Sequence, residues 1–133
     1  MQLRAFAATE RALYREFLQD PTSLGGTTAL VIIHTPTTLH VANLGDCRAV
    51  LGRTVDGVHS VVDLTNDHKP HLEQARGVER LQGEVLFRDD GGWYLSREDE
   101  YGDVQRIGVS RALADFDMPG ECLCPIAVYI SIV

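Results

Sequence analysis

The spacing of apolar residues changes between helical and strand periods along the chain, which predicts a domain of mixed α and β structure. Residues 3–18 place apolar side chains near a 3.6-residue period with charges between them, a pattern typical of an amphipathic helix. Pro and Gly in "DPTSLGG" predict its end. Residues 27–35, "TTALVIIHT", are rich in β-branched side chains and predict a buried strand.

Three further strands are predicted before residue 65. They are "TLHVAN", "CRAVLGR" and "GVHSVVDL", and the segment "LGD" links the first two. Gly45 can adopt a positive φ without steric cost, which favours a tight hairpin there. Because these connections are too short for crossovers, the sequence predicts an antiparallel meander of four strands.

The second half of the chain predicts a helix followed by short strands. Pro70 opens the helix, which runs on to Leu81, and Gly83 ends it. "EVLF" and "GWYLS" flank "RDDGG" and predict a hairpin, "VQRIGVS" predicts a strand, and "RALADF" a short helical turn. The expected fold class is α+β, with helices covering a mainly antiparallel sheet.

Composition and charge narrow the classes of function. With 133 residues, 44% of them hydrophobic, the chain can form one globular domain with its own core. The net charge is −7 and no dense Lys/Arg run occurs, which argues against a nucleic-acid partner. The acidic surplus fits simple solubility, or carboxylates that bind cations, and the first is favoured.

The termini and the cysteines bear on location. The first residues carry charges throughout and do not resemble a signal peptide. The apolar segment "CLCPIAVYISIV" is interrupted by Pro125 and is shorter than a membrane span of about 20 residues. Cys47, Cys122 and Cys124 do not form a disulfide framework. We therefore expect an intracellular protein, cytoplasmic or nuclear, with no membrane partner.

The stretch "ANLGDCRAVLGR" contains two candidate chemistries. Cys47, Arg53 and Thr54 match the C-x5-R-T outline of a thiol phosphatase loop. The intervening residues "RAVLG" alternate like a strand, however, and an extended strand cannot cradle a phosphate. A small core-facing Cys47 is therefore favoured. Asp46 in the Gly-Asp turn could ligate Mg²⁺ or Mn²⁺, although from spacing alone an ordinary turn role is favoured.

Other polar residues receive structural interpretations. Asp67 or His68 is expected to cap the helix that Pro70 begins. The strand patterns predict that His34, His40 and His59 are packing or surface residues. The acidic groups in "RDDGG" and "REDE" fall in a hairpin and a loop, where we expect them to be solvated. The residues alone do not assemble a complete active site.

Three motifs in order resemble the PPM (PP2C) family of metal-dependent protein Ser/Thr phosphatases. "GGTTALVIIHTPTTLHVANLGDCRAVL" is similar to that family's Gly-Ser-Thr-Ala strand and "ANxGDSRAVL" hairpin. "LTNDHKPHLEQARGVERLQGEV" resembles "LSxDHKPxxxxExxRIxxxGGxV", and "VQRIGVSRALADFDMP" resembles "RVxGxLAVSRALGDxxxK". The resemblance covers residues 1–119 as a partial PPM-type domain and leaves 120–133 as a divergent apolar tail.

The resemblance implies a fold and a chemistry. The fold would be part of a PPM-type β-sandwich, with antiparallel sheets flanked by helices. The complete family domain would use two bridged Mg²⁺ or Mn²⁺ ions to activate a water that attacks phosphoserine or phosphothreonine in phosphoprotein substrates. Of the family's metal positions only the hairpin Asp matches, here Asp46, as a ligand of an additional, weaker site.

Departures from the family pattern limit the expected activity. The "DGHGG", "DGxWD" and final "DN" motifs, which supply the main metal carboxylates, are absent from the sequence. Cys47 replaces the usual Ser, and Ala114 the usual Gly of "ALGD". We therefore expect a fragment of a phosphatase that is inactive alone and poorly soluble or molten in isolation. The alternatives are a non-catalytic PPM-like protein-binding or regulatory module and an unrelated α+β binding domain.

Overall fold

The computed structural model describes residues 2–20, 22, 25–75, 83–98, 101–116 and 127–132. Two helices lie in these ranges, α1 (Gln2–Gln19) and α2 (Pro70–Ala75). The described strands, in chain order, are β1 (Ala29–His34), β2 (Leu39–Leu44), β3 (Val50–Val55), β4 (Val58–Asp63), β5 (Glu84–Phe87), β6 (Trp93–Glu98), β7 (Val104–Ile107) and β8 (Val128–Ile132). The class is α+β with antiparallel sheets, as predicted.

The strands form three antiparallel groups. The first is a sheet in the order β1-β2-β8, the second the hairpin β3-β4, and the third a sheet in the order β5-β6-β7. In the first sheet Val41 lies opposite Ile32 on one side and Ile130 on the other. Part of the apolar C-terminal segment thus completes the sheet as β8.

The predicted four-stranded meander is wrong, because β2 and β3 belong to different sheets. Gly45 has φ 97°, but the turn it makes leads the chain out of the first sheet rather than back along β2. The main chain of Gly45 bonds instead to His68, whose N–H donates to Gly45 O at 3.1 Å. Contacts distant in sequence therefore override the local hairpin signal.

The predicted helical turn at residues 111–116 is also wrong. Thr27 and Leu113 form an isolated antiparallel bridge, with N–H···O distances of 2.9 and 2.8 Å. Ala114 follows with φ 67°, outside the right-handed helical region. Pairing with the segment before β1 thus wins over local helix propensity. For the second predicted helix, α2 begins at Pro70 as expected, and its predicted continuation to Leu81 lies outside the described residues.

The hairpin around "RDDGG" is confirmed. β5 pairs with β6 from Glu84↔Ser96 to Phe87↔Trp93. Its turn is fixed by Asp90, which accepts hydrogen bonds from the Gly92 N–H at 2.8 Å and from the Tyr94 hydroxyl at 3.0 Å. These bonds hold the pKa of Asp90 below its usual value.

Two hydrophobic clusters meet at β2. The first joins α1 to the first sheet and consists of Phe6, Ala42, Leu44, Leu113 and Ala127. The second joins that sheet to the β3-β4 hairpin and consists of Val41, Ala49 and Leu64. Successive residues of a strand face opposite sides, so β2 supplies both clusters. The centre of the described core is therefore β2.

Helix α1 is confirmed and is also held by a polar contact. Glu10 accepts a hydrogen bond from the Ala114 N–H at 3.0 Å. Partial burial raises the pKa of Glu10, and this hydrogen bond opposes the rise. Tyr14 and Phe17 pack against the ring of Phe116, at centroid distances of 5.3 and 5.4 Å.

Candidate functional site

The candidate site is the corner where β2 ends and the segment before α2 passes alongside it. Asp46 lies at this corner, not at the tip of a hairpin. One of its carboxylate oxygens, Oδ2, accepts a hydrogen bond from Lys69 Nζ, and the two side chains form an ion pair. Lys69 Nζ also donates to the carbonyl oxygen of Gly108 at 3.3 Å. Lys69 thus connects the corner to the residue that follows β7.

Beside this pair lies a second ion pair of the forked type. Arg48 Nε and Nη2 donate to the two carboxylate oxygens of Asp67 at 2.9 and 3.0 Å. The hydrogen bond to Arg48 lowers the pKa of Asp67, and the same contact raises the pKa of Arg48. The Arg48 side chain is 73% exposed, so solvent screens the pair and its contribution to stability is small.

Buried polar contacts fix the shape of the corner. The Gly45 N–H donates to His68 Nδ1 at 3.0 Å, and the Ser110 N–H donates to His68 O at 2.9 Å. Asn43 Nδ2 donates to Gly45 O at 3.2 Å and to Asn66 O at 3.3 Å. Because His68 and Asn43 are almost fully buried, breaking these bonds would leave polar groups without water. These bonds therefore oppose changes in the shape of the corner.

An open cavity of about 430 Å³ lies next to the corner. Its lining carries two basic residues, Arg48 and Lys69, and two acidic ones, Asp63 and Asp67, together with Thr65, Asn66, His71 and Leu72. Arg48, Lys69 and Asp67 are already engaged in ion pairs. The lining charges largely cancel, so the cavity has no strong preference for an anion.

The predicted helix cap is wrong. The Asp67 carboxylate bonds Arg48, and His68 Nδ1 accepts from the Gly45 N–H. The first turn of α2 is closed instead by Lys69 O, which accepts from the N–H groups of Leu72 and Glu73 at 3.0 and 3.1 Å. The side chains of Asp67 and His68 therefore bond to residues of the corner and do not cap the helix.

The structure agrees with the rejection of a thiol phosphatase loop. Residues 50–53 lie in β3, and Arg53 Nε donates to Ser60 Oγ at 3.0 Å on the neighbouring strand. Cys47 is half-buried, and its Sγ lies 3.2 Å from Thr28 Oγ1. Arg53 is thus turned toward β4 and does not form an anion clamp with Cys47.

His34, His40 and His59 have the predicted packing or surface roles. His34 is exposed. His40 Nδ1 lies 2.6 Å from the Tyr129 hydroxyl, and His59 Nδ1 lies 2.8 Å from Thr54 Oγ1.

Asp46 does not belong to a preformed metal centre in the described part of the chain. No three His, Cys, Asp or Glu side chains among the described residues are grouped so that they could hold a metal ion. The Asp46 carboxylate is instead neutralised by the ammonium of Lys69. The described residues therefore do not fit a complete metal site.

Sequence reasoning missed an ion pair behind the corner. Arg111 Nη2 donates to Glu73 Oε2 at 2.9 Å, with side chains 18% and 2% exposed. A buried Glu rarely lacks a cationic partner. The position of Glu73 along α2, however, looks like that of a surface residue. The available signal was the resemblance of "VSRALAD" to a family motif, which contains Arg111.

Across the described ranges, no helix has both the length and the apolar character needed to cross a membrane.

A known structure shares this fold. The chain superposes on the crystal structure of serine-threonine phosphatase 2C from Toxoplasma gondii with a TM-score of 0.78 and 18% sequence identity. The match covers 96% of this chain and 43% of that one. The architecture around the corner is therefore that of a phosphatase 2C fold, represented by a part of it.

Relatives at higher identity indicate the same class. "Probable protein phosphatase 2C 22" of Arabidopsis thaliana is 37% identical over 117 residues, and "Probable protein phosphatase 1N" of Mus musculus is 36% identical over 115. These matches cover 87% and 80% of this chain but 26% and 24% of the relatives. The chain thus spans about a quarter of the length of these relatives.

The family follows from a match to the protein phosphatase 2C family model over residues 3–128. The chain belongs to the protein phosphatase 2C family. The match continues past residue 119 to the first residue of β8. The proposed boundary between a family domain at 1–119 and a divergent tail at 120–133 remains a prediction.

Proposed function

We propose that this chain is part of a metal-dependent protein Ser/Thr phosphatase that dephosphorylates phosphoproteins when its domain is complete. Family membership over residues 3–128 supports the reaction class and the expectation of metal dependence. The cofactor we propose is Mg²⁺ or Mn²⁺, ions that prefer oxygen ligands such as carboxylates. The net charge of −7 supports a protein substrate over a nucleic acid.

We further propose that the chain has no phosphatase activity by itself. One observation carries this: among the described residues no group of three potential ligands can hold a metal ion. Asp46 is the single candidate ligand, and one carboxylate holds Mg²⁺ only weakly. In this proposal Asp46 contributes to a cation site only when further ligands are supplied.

The test is hydrolysis of p-nitrophenyl phosphate by the full 133-residue chain in the presence of Mn²⁺. We expect no turnover above a blank that contains Mn²⁺ alone. Clear turnover that Asp46→Ala abolishes would overturn the inactivity proposal. Turnover without metal that Cys47→Ser abolishes would point to thiol chemistry instead.

A non-catalytic regulatory or protein-binding module is the second candidate. It is favoured by the ion pair that neutralises Asp46, because that carboxylate then stabilises the corner without a metal. The genomic sequence on both sides separates the two candidates. In-frame "DGHGG" upstream and "DGxWD" downstream would support the phosphatase and exclude the separate module.

A further inference from the structure

The sequence contains two Asp-Gly pairs, Asp56–Gly57 and Asp90–Gly91, and both lie in hairpin turns. In such a pair the main-chain nitrogen of the glycine can attack the side-chain carboxyl carbon of the aspartate. Because glycine has no Cβ, no side chain of its own shields that nitrogen. The two turns therefore place the same reactive dipeptide in two different environments.

The Asp90–Gly91 turn engages both reacting groups in hydrogen bonds. The carboxylate oxygens of Asp90 accept from the Gly92 N–H at 2.8 Å and from the Tyr94 hydroxyl at 3.0 Å. The Gly91 N–H donates to the carbonyl oxygen of Arg88 at 2.9 Å. The bonds to its carboxylate hold the pKa of Asp90 below its usual value, so they disfavour the neutral acid, which is the better electrophile. Attack within this turn must first break these contacts.

The Asp56–Gly57 turn leaves both reacting groups unbonded. Among the described residues, no hydrogen bond reaches the Asp56 carboxylate and the Gly57 N–H donates none. Both residues are exposed, and their φ angles of 51° and 79° are those of a two-residue turn of type I′. Asp56 also carries a Cβ in the left-handed region, which costs an L-residue free energy. No hydrogen bond therefore has to break before the Gly57 nitrogen attacks.

The hairpin around Asp56 is also held less firmly than the hairpin around Asp90. In the described part of the chain β3 and β4 pair with each other alone, whereas β5 and β6 belong to a three-stranded sheet. The residues that flank the first turn, Val55 and Val58, are 58% and 68% exposed. A two-stranded hairpin is marginally stable by itself, so its turn end opens readily. Opening lets the main chain at residue 56 rotate into the conformation that ring closure needs.

We infer that Asp56 is a site of spontaneous conversion to isoaspartate in the folded chain, and that Asp90 is protected from it. The Gly57 nitrogen bonds to Cγ of Asp56, and its proton leaves together with the carboxyl hydroxyl as one molecule of water. The product is a five-membered succinimide ring. Water then adds to one of the two ring carbonyl carbons and breaks its bond to nitrogen, which gives aspartate or isoaspartate. This inference does not depend on the proposed function.

The isoaspartate product changes the β3-β4 hairpin. Its main chain runs through Cβ and Cγ of residue 56, and the original α-carboxyl group becomes the free carboxylate. The turn thus gains one main-chain carbon, so it can no longer keep the type I′ geometry that pairs Val55 with Val58. We expect the amide protons of β3 and β4 to lose protection as the product accumulates.

The experiment incubates the full chain in H₂¹⁸O, in buffer and in denaturant, and follows each site by mass spectrometry of its own peptide. Ring opening inserts one ¹⁸O atom, and electron-transfer fragmentation distinguishes isoaspartate from aspartate. In denaturant the two sites should convert at similar rates, because the reacting dipeptide is the same. In buffer Asp56 should stay within about threefold of its rate in denaturant, whereas Asp90 should be slowed about tenfold or more by the bonds it must break. Equal rates at the two sites in buffer, or slowing at Asp56 as strong as at Asp90, would overturn the inference.

Tyr94→Phe tests the cause of the protection at Asp90. The substitution removes one of the two hydrogen bonds to the Asp90 carboxylate. Conversion at Asp90 in buffer should rise roughly threefold, while conversion at Asp56 should stay the same. An unchanged rate at Asp90 would show that these hydrogen bonds do not protect it, and the contrast between the two turns would be wrong.

Asp56→Glu is the matched variant for the effect on the hairpin. It keeps the negative charge, but its side chain would have to close a six-membered ring, which forms far more slowly. During incubation, amide protection in β3 and β4 should fall in the original chain and stay constant in Asp56→Glu. The same fall in both chains would show that isoaspartate formation does not open the hairpin.

Discussion

At the scale of single residues, the turn after β2 depends on a glycine for two separate reasons. Gly45 has φ 97°, a region that L-residues avoid, and a Cβ added there would overlap the Cγ2 atom of Thr28. We expect Gly45→Ala to lower the free energy of unfolding by at least about 2 kcal/mol, from backbone strain together with overpacking. Denaturant unfolding followed by circular dichroism measures the change.

Gly57→Ala is the matched control for that substitution. Gly57 also has a positive φ, 79°, but an added Cβ meets no atom within 4 Å. Its cost should therefore be backbone strain alone, about 1–2 kcal/mol. Equal losses from Gly45→Ala and Gly57→Ala would show that the Thr28 contact does not matter.

Ala114 shows the opposite case, a residue with a side chain where glycine fits better. Its φ of 67° lies in the left-handed region, which costs a residue with a Cβ about 1–2 kcal/mol. Glycine loses more chain entropy on folding, about 0.4–1 kcal/mol, so Ala114→Gly should stabilise the chain by a net amount of about 0.5–1 kcal/mol. Thermal unfolding compares the two chains.

The control for Ala114→Gly is Ala112→Gly. Ala112 is 3% exposed and is not among the residues with positive φ, so its loss of a buried methyl should destabilise the chain. If both glycine variants are destabilised alike, the strain at residue 114 is not present in solution.

The residue scale also shows what the sequence could predict about the candidate site. The alternation of "RAVLG" was enough to exclude a phosphate loop at Cys47, because strand geometry is a local property. The ion pair of Asp46 with Lys69 joins residues 23 positions apart, and it depends on how the corner meets the segment before α2. Local patterns contain no information about that approach, so the sequence identified Asp46 but not its partner.

At the scale of elements, the ion pair between Glu73 and Arg111 fastens α2 to the segment after β7. The Glu73 side chain is 2% exposed, so a carboxylate there without this pair is costly. We expect Arg111→Met to destabilise the chain by about 3–5 kcal/mol. Denaturant unfolding of the single variant measures this loss.

A double substitution tests whether the loss of the Glu73–Arg111 ion pair is the cause. Glu73→Gln combined with Arg111→Met removes both charges and should cost clearly less than the sum of the two single changes. If the losses simply add, Arg111 stabilises the segment by packing and not through Glu73.

Elements defined by short-range signals were predicted, and those defined by distant pairing were not. The helix at α1 and the hairpin β5-β6 follow from period and turn residues within the segment itself. The prediction of a meander was wrong because residues 45 and 68 pair across the corner. The prediction of a helical turn at 111–116 was wrong because Leu113 pairs with Thr27. In both cases backbone hydrogen bonds to a distant segment outweighed a weak local preference.

At the scale of the whole molecule, the three described sheets contribute unequally to the hydrophobic core. Both hydrophobic clusters contain residues of β2, namely Ala42 and Leu44 in one and Val41 in the other. Leu95 of β6 is fully buried but belongs to neither cluster. On the outer strand of the first sheet, Val31, Ile32 and Ile33 are 42–47% exposed, which is consistent with the predicted poor solubility of the isolated chain.

This uneven core predicts unequal local stability. Opening β2 disrupts two clusters at once, whereas opening the β5-β6-β7 sheet leaves both intact. Amide hydrogen exchange should therefore be slowest in β2, at residues 41–44, and faster in β6. Exchange followed by mass spectrometry on the full chain measures both regions in one sample.

Two matched leucine truncations test the same division. Leu44 and Leu95 are both fully buried, so each change to Ala should cost about 2–5 kcal/mol if its region unfolds with the whole chain. Leu44→Ala should speed exchange in all three sheets, because β2 carries the shared core. Leu95→Ala should speed it only in the β5-β6-β7 sheet, since that sheet opens without disturbing β2. If Leu95→Ala speeds exchange in β2 to the same extent, the described residues unfold as one cooperative unit, and the division of the core has no energetic consequence.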